Sequence, residues 1–192
     1  MVRRKVEFIQ GGYYHIYNRG CNRELIFRCD ENYYFLLRRV KREITPWQVT
    51  IIAYTLMPNH YHFLARQDGS QSLSYFMQAV FNSYTKAFNR MYDRHGTLFE
   101  GPFQAIPVTK EEYLIHLCRY IHRNPLEAGL VADLTAWPFS NYLEWIGKRE
   151  GRLVDQDFAR AWFPTSAAYE QFVLDYTPPQ AIAEAVRRLA LE

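Results

Sequence analysis

Two histidines in alternate positions carry the clearest chemical signal in this sequence of 192 residues. His60 and His62 lie in an apolar and aromatic run that directly follows Met57-Pro58-Asn59. If this run is a β-strand, its period of two residues places both imidazoles on one face of a sheet. Two adjacent imidazoles are half of a metal site, although such a pair alone is more often structural. A metal site would need a further ligand from elsewhere in the chain.

A helix predicted to follow Thr109 offers that ligand. His116, Tyr120 and Asn124 recur at every fourth residue and therefore lie close to one helical face. The amide oxygen of Asn124 beside two imidazoles makes a mixed nitrogen and oxygen set that suits Mg²⁺, Mn²⁺ or Zn²⁺. The phenol of Tyr120, whose ordinary pKa is about 10, would act as a nucleophile more easily on a metal-polarised phosphorus. His116 is a candidate proton shuttle, with a packing role as the commoner alternative.

The elements that must position these residues follow from apolar periodicity. Strands are predicted near residues 13–18, 47–56, 60–65 and 103–108, and helices near 30–41, 71–92 and 109–124. The order β-α-β-β-α-β-α is typical of the ferredoxin-like split βαβ sandwich, an α+β fold with its first and third strands in the centre and its helices on one face. An ordered connection is expected around residues 137–142, and one or two amphipathic helices within residues 166–191, split by Pro178-Pro179.

The predicted third helix has boundary signals of its own. Thr109 followed by Glu112 resembles a capping box. Pro125 predicts that the helix ends near Asn124, because the residue before a proline disfavours helical geometry. His122 lies on another side of this helix, and the sequence assigns it no role.

Composition narrows the class of protein. The chain is 48% hydrophobic and 17% aromatic, enough for one good core, with a net charge of only +3. Three cysteines without metal-type spacing predict reduced thiols and a cytoplasmic protein. The sequence has no apolar run long enough to cross a bilayer, so no membrane partner is expected.

Several ordered motifs together resemble a known family. His60-Tyr61-His62 is similar to the histidine-hydrophobe-histidine motif of HUH single-strand endonucleases, and the run from Tyr120 to Pro125 resembles the catalytic-tyrosine helix of REP-associated tyrosine transposases. The resemblance covers about three quarters of the chain. It extends to four further segments, namely residues 15–20, 56–59, 84–103 and 137–140.

The resemblance implies a function and a set of roles. His60, His62 and Asn124 would hold a divalent metal, Mg²⁺ or Mn²⁺, and Tyr120 would attack single-stranded or hairpin DNA to form a 5′-phosphotyrosine. Residues 1–146 would be the catalytic domain and residues 147–192 a helical C-terminal extension packed on it. The protein would act as a monomer or a homodimer. One departure is Pro102, where the family pattern leads us to expect an arginine that contacts DNA.

Other residues are weaker candidates for DNA contact. Basic groups can bind phosphates, and tyrosines can stack on unpaired bases, although most such residues are only solvated or buried. The candidates that flank the motifs are Arg19, Arg90, Arg94, His95 and Tyr17, together with the neighbouring Tyr13 and Tyr14.

Two other functions fit parts of the pattern. The same fold with aromatic strands occurs in RNA-recognition domains, so the chain could be a nucleic-acid-binding module without catalysis. It could also be a small metal-dependent phosphoesterase that uses water instead of tyrosine. Dependence on metal separates the first alternative from a transposase, and a covalent intermediate separates the second.

Overall fold

Four strands form one antiparallel sheet. They are β1 (Tyr13–Arg19), β2 (Val49–Met57), β3 (His60–Gln67) and β4 (Gln104–Pro107). The strand order β2-β3-β1-β4 places the first and third strands in the centre and confirms the predicted ferredoxin-like topology. The protein is described here from a computed structural model, which covers residues 6–177 and 180–189.

Seven α-helices surround this sheet in the described part of the chain. The three long ones are α1 (Asp30–Glu43), α2 (Leu73–Met91) and α3 (Glu111–Glu127). Shorter helices follow in the last third of the chain, namely α4 (Tyr142–Trp145), α5 (Gln156–Trp162), α6 (Ser166–Leu174) and α7 (Gln180–Leu189). The predicted break at Pro178-Pro179 lies outside the described residues.

Helices cover both faces of the sheet, whereas the sequence predicted helices on one face. The two-residue period of β3 sends Tyr61 and Phe63 into a core with α1 and α2, and Leu64 into a second core with α3. The second core exists because Leu117 and Ile121 give α3 an apolar stripe of its own. His62, two residues before Leu64, therefore faces α3.

The boundaries of α3 differ from the prediction at both ends. The capping box is wrong, since the helix begins at Glu111 and its N-cap, Lys110, makes no side-chain cap bond. At the other end Pro125 lies within the last turn, and the helix continues to Glu127. A proline removes only its own N–H, and the N–H of Ala128 still donates to the carbonyl of Asn124 at 2.9 Å. Asn124 therefore keeps helical geometry.

The segment after α3 runs along the outer edge of β2. The N–H of Leu56 donates to the carbonyl of Phe139 at 2.9 Å, and the N–H of Asn141 donates to the carbonyl of Tyr54 at 3.3 Å. These bonds satisfy backbone groups that an edge strand would otherwise expose. The ordered connection predicted around residues 137–142 is confirmed.

The C-terminal helices pack on the outer side of α3. Tyr169 and Val173 of α6 are buried in the same core as Leu117 of α3. The guanidinium of Arg119 donates to the carbonyl of Phe172 at 3.3 Å, and that of Arg123 donates to the carbonyl of Val173 at 2.9 Å. The division into units at residue 146 stays a prediction. None of the described helices is long and apolar enough to span a membrane.

Candidate active site

His60 and His62 lie on the face of β3 that is turned towards α3. Their rings are 5.1 Å apart between centroids and nearly perpendicular, with His60 partly exposed and His62 fully buried. On the neighbouring central strand, Arg19 pairs in register with His60 and Tyr17 with His62. The predicted placement of the two imidazoles on one face is therefore correct.

Asn59 determines which nitrogen of His60 is available. The amide nitrogen of Asn59 donates to the carbonyl of Arg23 at 3.4 Å, so its Oδ1 atom is an acceptor. His60 Nδ1 lies 2.6 Å from this oxygen and must therefore carry the proton and donate. The lone pair of a neutral His60 is then on Nε2, away from the turn and towards α3.

Asn124 presents an oxygen to that same nitrogen. Its amide nitrogen donates to the carbonyl of Tyr120 at 3.2 Å, one helical turn earlier, which leaves Oδ1 as the outward group. Oδ1 lies 3.5 Å from His60 Nε2. For a neutral His60 both atoms are acceptors, so two lone pairs face each other at this separation, and a cation or a hydrogen-bond donor between them would satisfy both. The pair has the chemistry of a cation site.

His62 offers a second candidate nitrogen on the same face of β3. Its Nδ1 atom lies 3.0 Å from Nε2 of His15, in β1. Its own Nε2, on the other side of the ring, is buried and has no hydrogen-bond partner among the described residues. An unpartnered buried nitrogen is costly in a folded protein, and a bound cation would satisfy it.

Tyr120 lies against this pair of histidines. Its ring centroid is 5.7 Å from that of His62 and 6.3 Å from that of His15, edge-on in both cases. The ring is only partly buried, so it borders both the histidines and solvent. Tyr120 and Asn124 reach the site together because residues four apart in a helix share one face. All these residues belong to a single chain.

The surroundings keep both histidines neutral near pH 7. Burial lowers the pKa of His60, and the nearby charge of Arg19 lowers it further, whereas the Asn124 oxygen raises it because it could accept a hydrogen bond from the charged ring. Burial lowers the pKa of His62 well below the ordinary value, and the neighbouring His15 and His60 add to this. A neutral imidazole is the form that binds a metal.

The residues present fit a divalent cation with mixed ligands. The described residues contain no cluster of three or more His, Cys, Asp and Glu side chains that could hold a metal. The centre would instead consist of Nε2 of His60, Nε2 of His62 and the amide oxygen of Asn124. One oxygen and two imidazoles suit Mn²⁺ and are compatible with Mg²⁺.

His116, the candidate proton shuttle, contacts a neighbouring arginine and a ring of the C-terminal helix α6. Its Nδ1 atom is 2.9 Å from the guanidinium of Arg119, and its ring is 5.4 Å from that of Phe172 in α6. Burial and the charge of Arg119 lower its pKa. These described contacts point to the C-terminal helices, whereas Tyr120 and Asn124 contact the histidine pair.

The basic residues predicted to contact DNA differ in their present partners and exposure. Arg19 lies beside His60 but makes two bonds of 3.0 Å to Glu100, and Arg94 makes an ion pair of 3.0 Å with Glu24. Arg90 and His95 are exposed at the far end of α2 and just after it.

Among the three tyrosines of β1, Tyr17 lies 6.1 Å from the ring of His62, between centroids. Tyr14 is only 1% exposed and packs in the core with α1 and α2, so it cannot stack on a base. Burial thus determines which of these tyrosines could contact DNA, and the alternation of side chains along the strand determines which of them is buried.

Sequence reasoning assigned no role to His15. Its partner His62 is on a different strand, and their contact depends on the register between β1 and β3, which pairs His15 with Leu64 and Tyr17 with His62. One signal was available, since His15 and Tyr17 share a strand face and the fold places β1 beside β3. Diagonal neighbours on adjacent strands lie within reach of long side chains.

The family follows from comparison with known proteins. A family model described as "Transposase IS200 like" matches residues 9–124, more than half of the chain. No curated protein sequence matches this chain. Among solved structures, a REP-associated tyrosine transposase bound to a REP hairpin is similar in fold, with a TM-score of 0.66 and 18% identity over 81% of this chain and 94% of that chain.

A second solved structure, a transposase candidate from Deinococcus radiodurans R1, has a TM-score of 0.44 and 15% identity over 64% of this chain and 97% of that chain. The match of the family model carries the assignment, and the fold of the first structure agrees with it. The chain belongs to the family of IS200-like transposases.

Proposed function

We propose that this protein is a metal-dependent endonuclease and strand transferase that acts on single-stranded or hairpin DNA through Tyr120. One observation carries the proposal. Asn124 Oδ1 lies 3.5 Å from His60 Nε2, and the ring of Tyr120 lies 5.7 Å from that of His62. The proposed ligands and the proposed nucleophile thus lie close together at one partly exposed point. A DNA hairpin as substrate is supported by the REP hairpin bound to the structural neighbour.

The chain itself would hold and orient the reacting groups. His60, His62 and Asn124 would bind a divalent cation, Mg²⁺ or Mn²⁺, which stabilises negative charge on the oxygens of the scissile phosphate. The phenol oxygen of Tyr120 would form a bond to phosphorus while the bond from phosphorus to the 3′ oxygen breaks. The departing 3′ oxygen takes up a proton, and the phenol loses its own.

The resulting 5′-phosphotyrosine keeps the energy of the diester bond. A 3′-OH of another strand can attack it, which releases Tyr120 and rejoins DNA without ATP. Tyr120 borders solvent at one side, so a strand can reach it. Arg19, next to His60 in register, is placed to meet a phosphate if its bonds to Glu100 open.

The alternative of an RNA-recognition module has less support. Such domains stack bases on the open face of their sheet. Here α1 and α2 cover one face, and α3 with the C-terminal helices covers the other. Tyr14 is buried and Tyr17 lies against the histidines.

The test is a comparison of variants on labelled hairpin DNA with a single-stranded flank, with Mn²⁺ present or chelated. We expect the wild-type protein to cleave and to form an adduct that survives denaturation. Tyr120→Phe should bind DNA but form no adduct. Tyr113→Phe, seven residues earlier on the same helix, is the matched control and should form it.

Each other result has a definite meaning. An adduct formed by Tyr120→Phe excludes Tyr120 as the nucleophile. Cleavage by the wild type without any adduct favours a phosphoesterase that uses water. DNA binding that is unchanged by chelator and by His60→Ala, without cleavage, favours a binding module.

A further inference from the structure

The bond between His15 and His62 joins two histidines that are both fully buried. His15 Nε2 and His62 Nδ1 are 3.0 Å apart, and the rings are nearly parallel, with centroids 5.2 Å apart. One hydrogen lies between these nitrogens, and it belongs to one ring or the other. The two arrangements leave different atoms on the far side of His62.

The choice of arrangement decides whether His62 can be a ligand. If His15 holds the hydrogen, the neutral His62 carries its own proton on Nε2, where it blocks a cation and leaves a buried donor without a partner. If His62 holds the hydrogen on Nδ1, its Nε2 presents a lone pair to the site. Only the second arrangement is compatible with a metal centre.

We propose that His15 is a positioning residue for His62. Its Nε2 atom accepts the Nδ1–H of His62, fixes the tautomer of that ring and holds its Nε2 towards the metal centre. The inference rests on the proposed function, because it assigns His15 a role in the metal site proposed there. Asn59 makes the equivalent contact to His60, with an amide oxygen as the acceptor at 2.6 Å.

The two proposed histidine ligands are thus oriented by different hydrogen-bond acceptors. Asn59 lies on the turn before β3 and directly precedes His60, whereas His15 reaches His62 from the neighbouring strand β1. Partners of metal-bound histidines fix ring orientation, and their loss typically weakens metal binding by about 10-fold to 100-fold. We expect a loss in this range when the acceptor at His15 is removed.

The experiment measures Mn²⁺ binding to the full-length, metal-free protein by calorimetry, without DNA. His15→Leu removes the acceptor, whereas His15→Gln keeps a side-chain oxygen of similar reach. We expect Mn²⁺ affinity to fall at least 10-fold in His15→Leu and less in His15→Gln. Wild-type affinity in a folded His15→Leu variant overturns the proposal, and so does an equal loss in both variants.

A second measurement on the wild-type protein needs no variant to fold. Nitrogen-15 NMR of labelled histidines distinguishes a protonated ring nitrogen from one with a free lone pair. In the metal-free protein we expect His62 to be protonated on Nδ1 and free on Nε2. A proton on Nε2 of His62 overturns the proposal.

The two proposals fail in different ways. If the wild-type protein binds no Mn²⁺, or binds it as well after His62→Ala, the metal centre is wrong and the role of His15 fails with it. If the wild-type protein binds Mn²⁺ through His62 and His15→Leu binds it equally well, only the role of His15 is wrong.

Discussion

Nδ1 of His122, in the middle of α3, lies 2.6 Å from the hydroxyl of Tyr169 in α6. On its other side, His122 Nε2 lies 2.8 Å from Oδ1 of Asn141, which also accepts the N–H of Tyr54. Because that oxygen can only accept, His122 donates from Nε2 and accepts the Tyr169 hydroxyl hydrogen at Nδ1. His122 lies two residues from both Tyr120 and Asn124, so these bonds limit rotation of the helix that presents them.

Removal of the Tyr169 hydroxyl should destabilise the fold. Tyr169→Phe leaves Nδ1 of His122 without a donor in a fully buried position, at a cost of about 1–3 kcal/mol in the free energy of unfolding. Tyr176→Phe is the control, since Tyr176 is 43% exposed and contacts Arg119 and Arg123 through its ring. Urea unfolding monitors both variants. Equal stability of Tyr169→Phe and wild type would contradict a stabilising bond between Tyr169 and His122.

The same histidine predicts a pH dependence of stability. Burial lowers the pKa of His122 to about 4, against an ordinary value of 6.5. Between these values the unfolded chain binds a proton that the folded one does not, so stability falls as the pH decreases from 6.5 to 4. The free energy of unfolding is expected to fall by about 3 kcal/mol over this pH range because of His122.

Chemical unfolding at several pH values measures this effect. The contribution is present above pH 6.5 and lost towards pH 4, so His122→Gln should flatten that part of the curve while it lowers stability at pH 7. Parallel curves for the variant and the wild type would show that His122 is not the group that titrates.

Substitutions of Asn124 should separate ligand chemistry from helix packing. Asn124→Leu removes the oxygen that lies 3.5 Å from His60 Nε2, and we expect a fall in Mn²⁺ affinity of about 10-fold or more. Asn124→Asp keeps an oxygen there and adds a charge that hard cations prefer, so it should bind Mn²⁺ at least as tightly as wild type. Calorimetry with metal-free protein gives both affinities. Equal binding by all three proteins would exclude Asn124 as a ligand.

A mixture of two inactive variants tests whether one chain completes the site. Tyr120, His60 and His62 converge within a single chain, and the bond that the Tyr169 hydroxyl donates to His122 holds α3 against the C-terminal helices of that chain. A mixture of His60→Ala and Tyr120→Phe should therefore form no DNA adduct. Any adduct above that of the separate variants would show that Tyr120 acts on the histidines of a second subunit.

The pairing of residues within one element followed from the sequence. His60 and His62 share a face because a strand has a period of two, and Tyr120 and Asn124 share one because a helix has a period near 3.6. The order of strands and helices followed as well, since apolar periodicity changed clearly between them. Both periods are properties of the local backbone, and distant residues do not alter them.

Contacts between elements required the tertiary structure. Strand register and the apolar stripes that meet determine three features, namely the side of the sheet that α3 covers, the bond between His15 and His62, and the burial of His122. The helix past Pro125 is held by packing and by bonds formed after the proline, which outweigh its local preference. Periodicity along the chain determined which side chains lie together on one element, and packing decided which elements face each other.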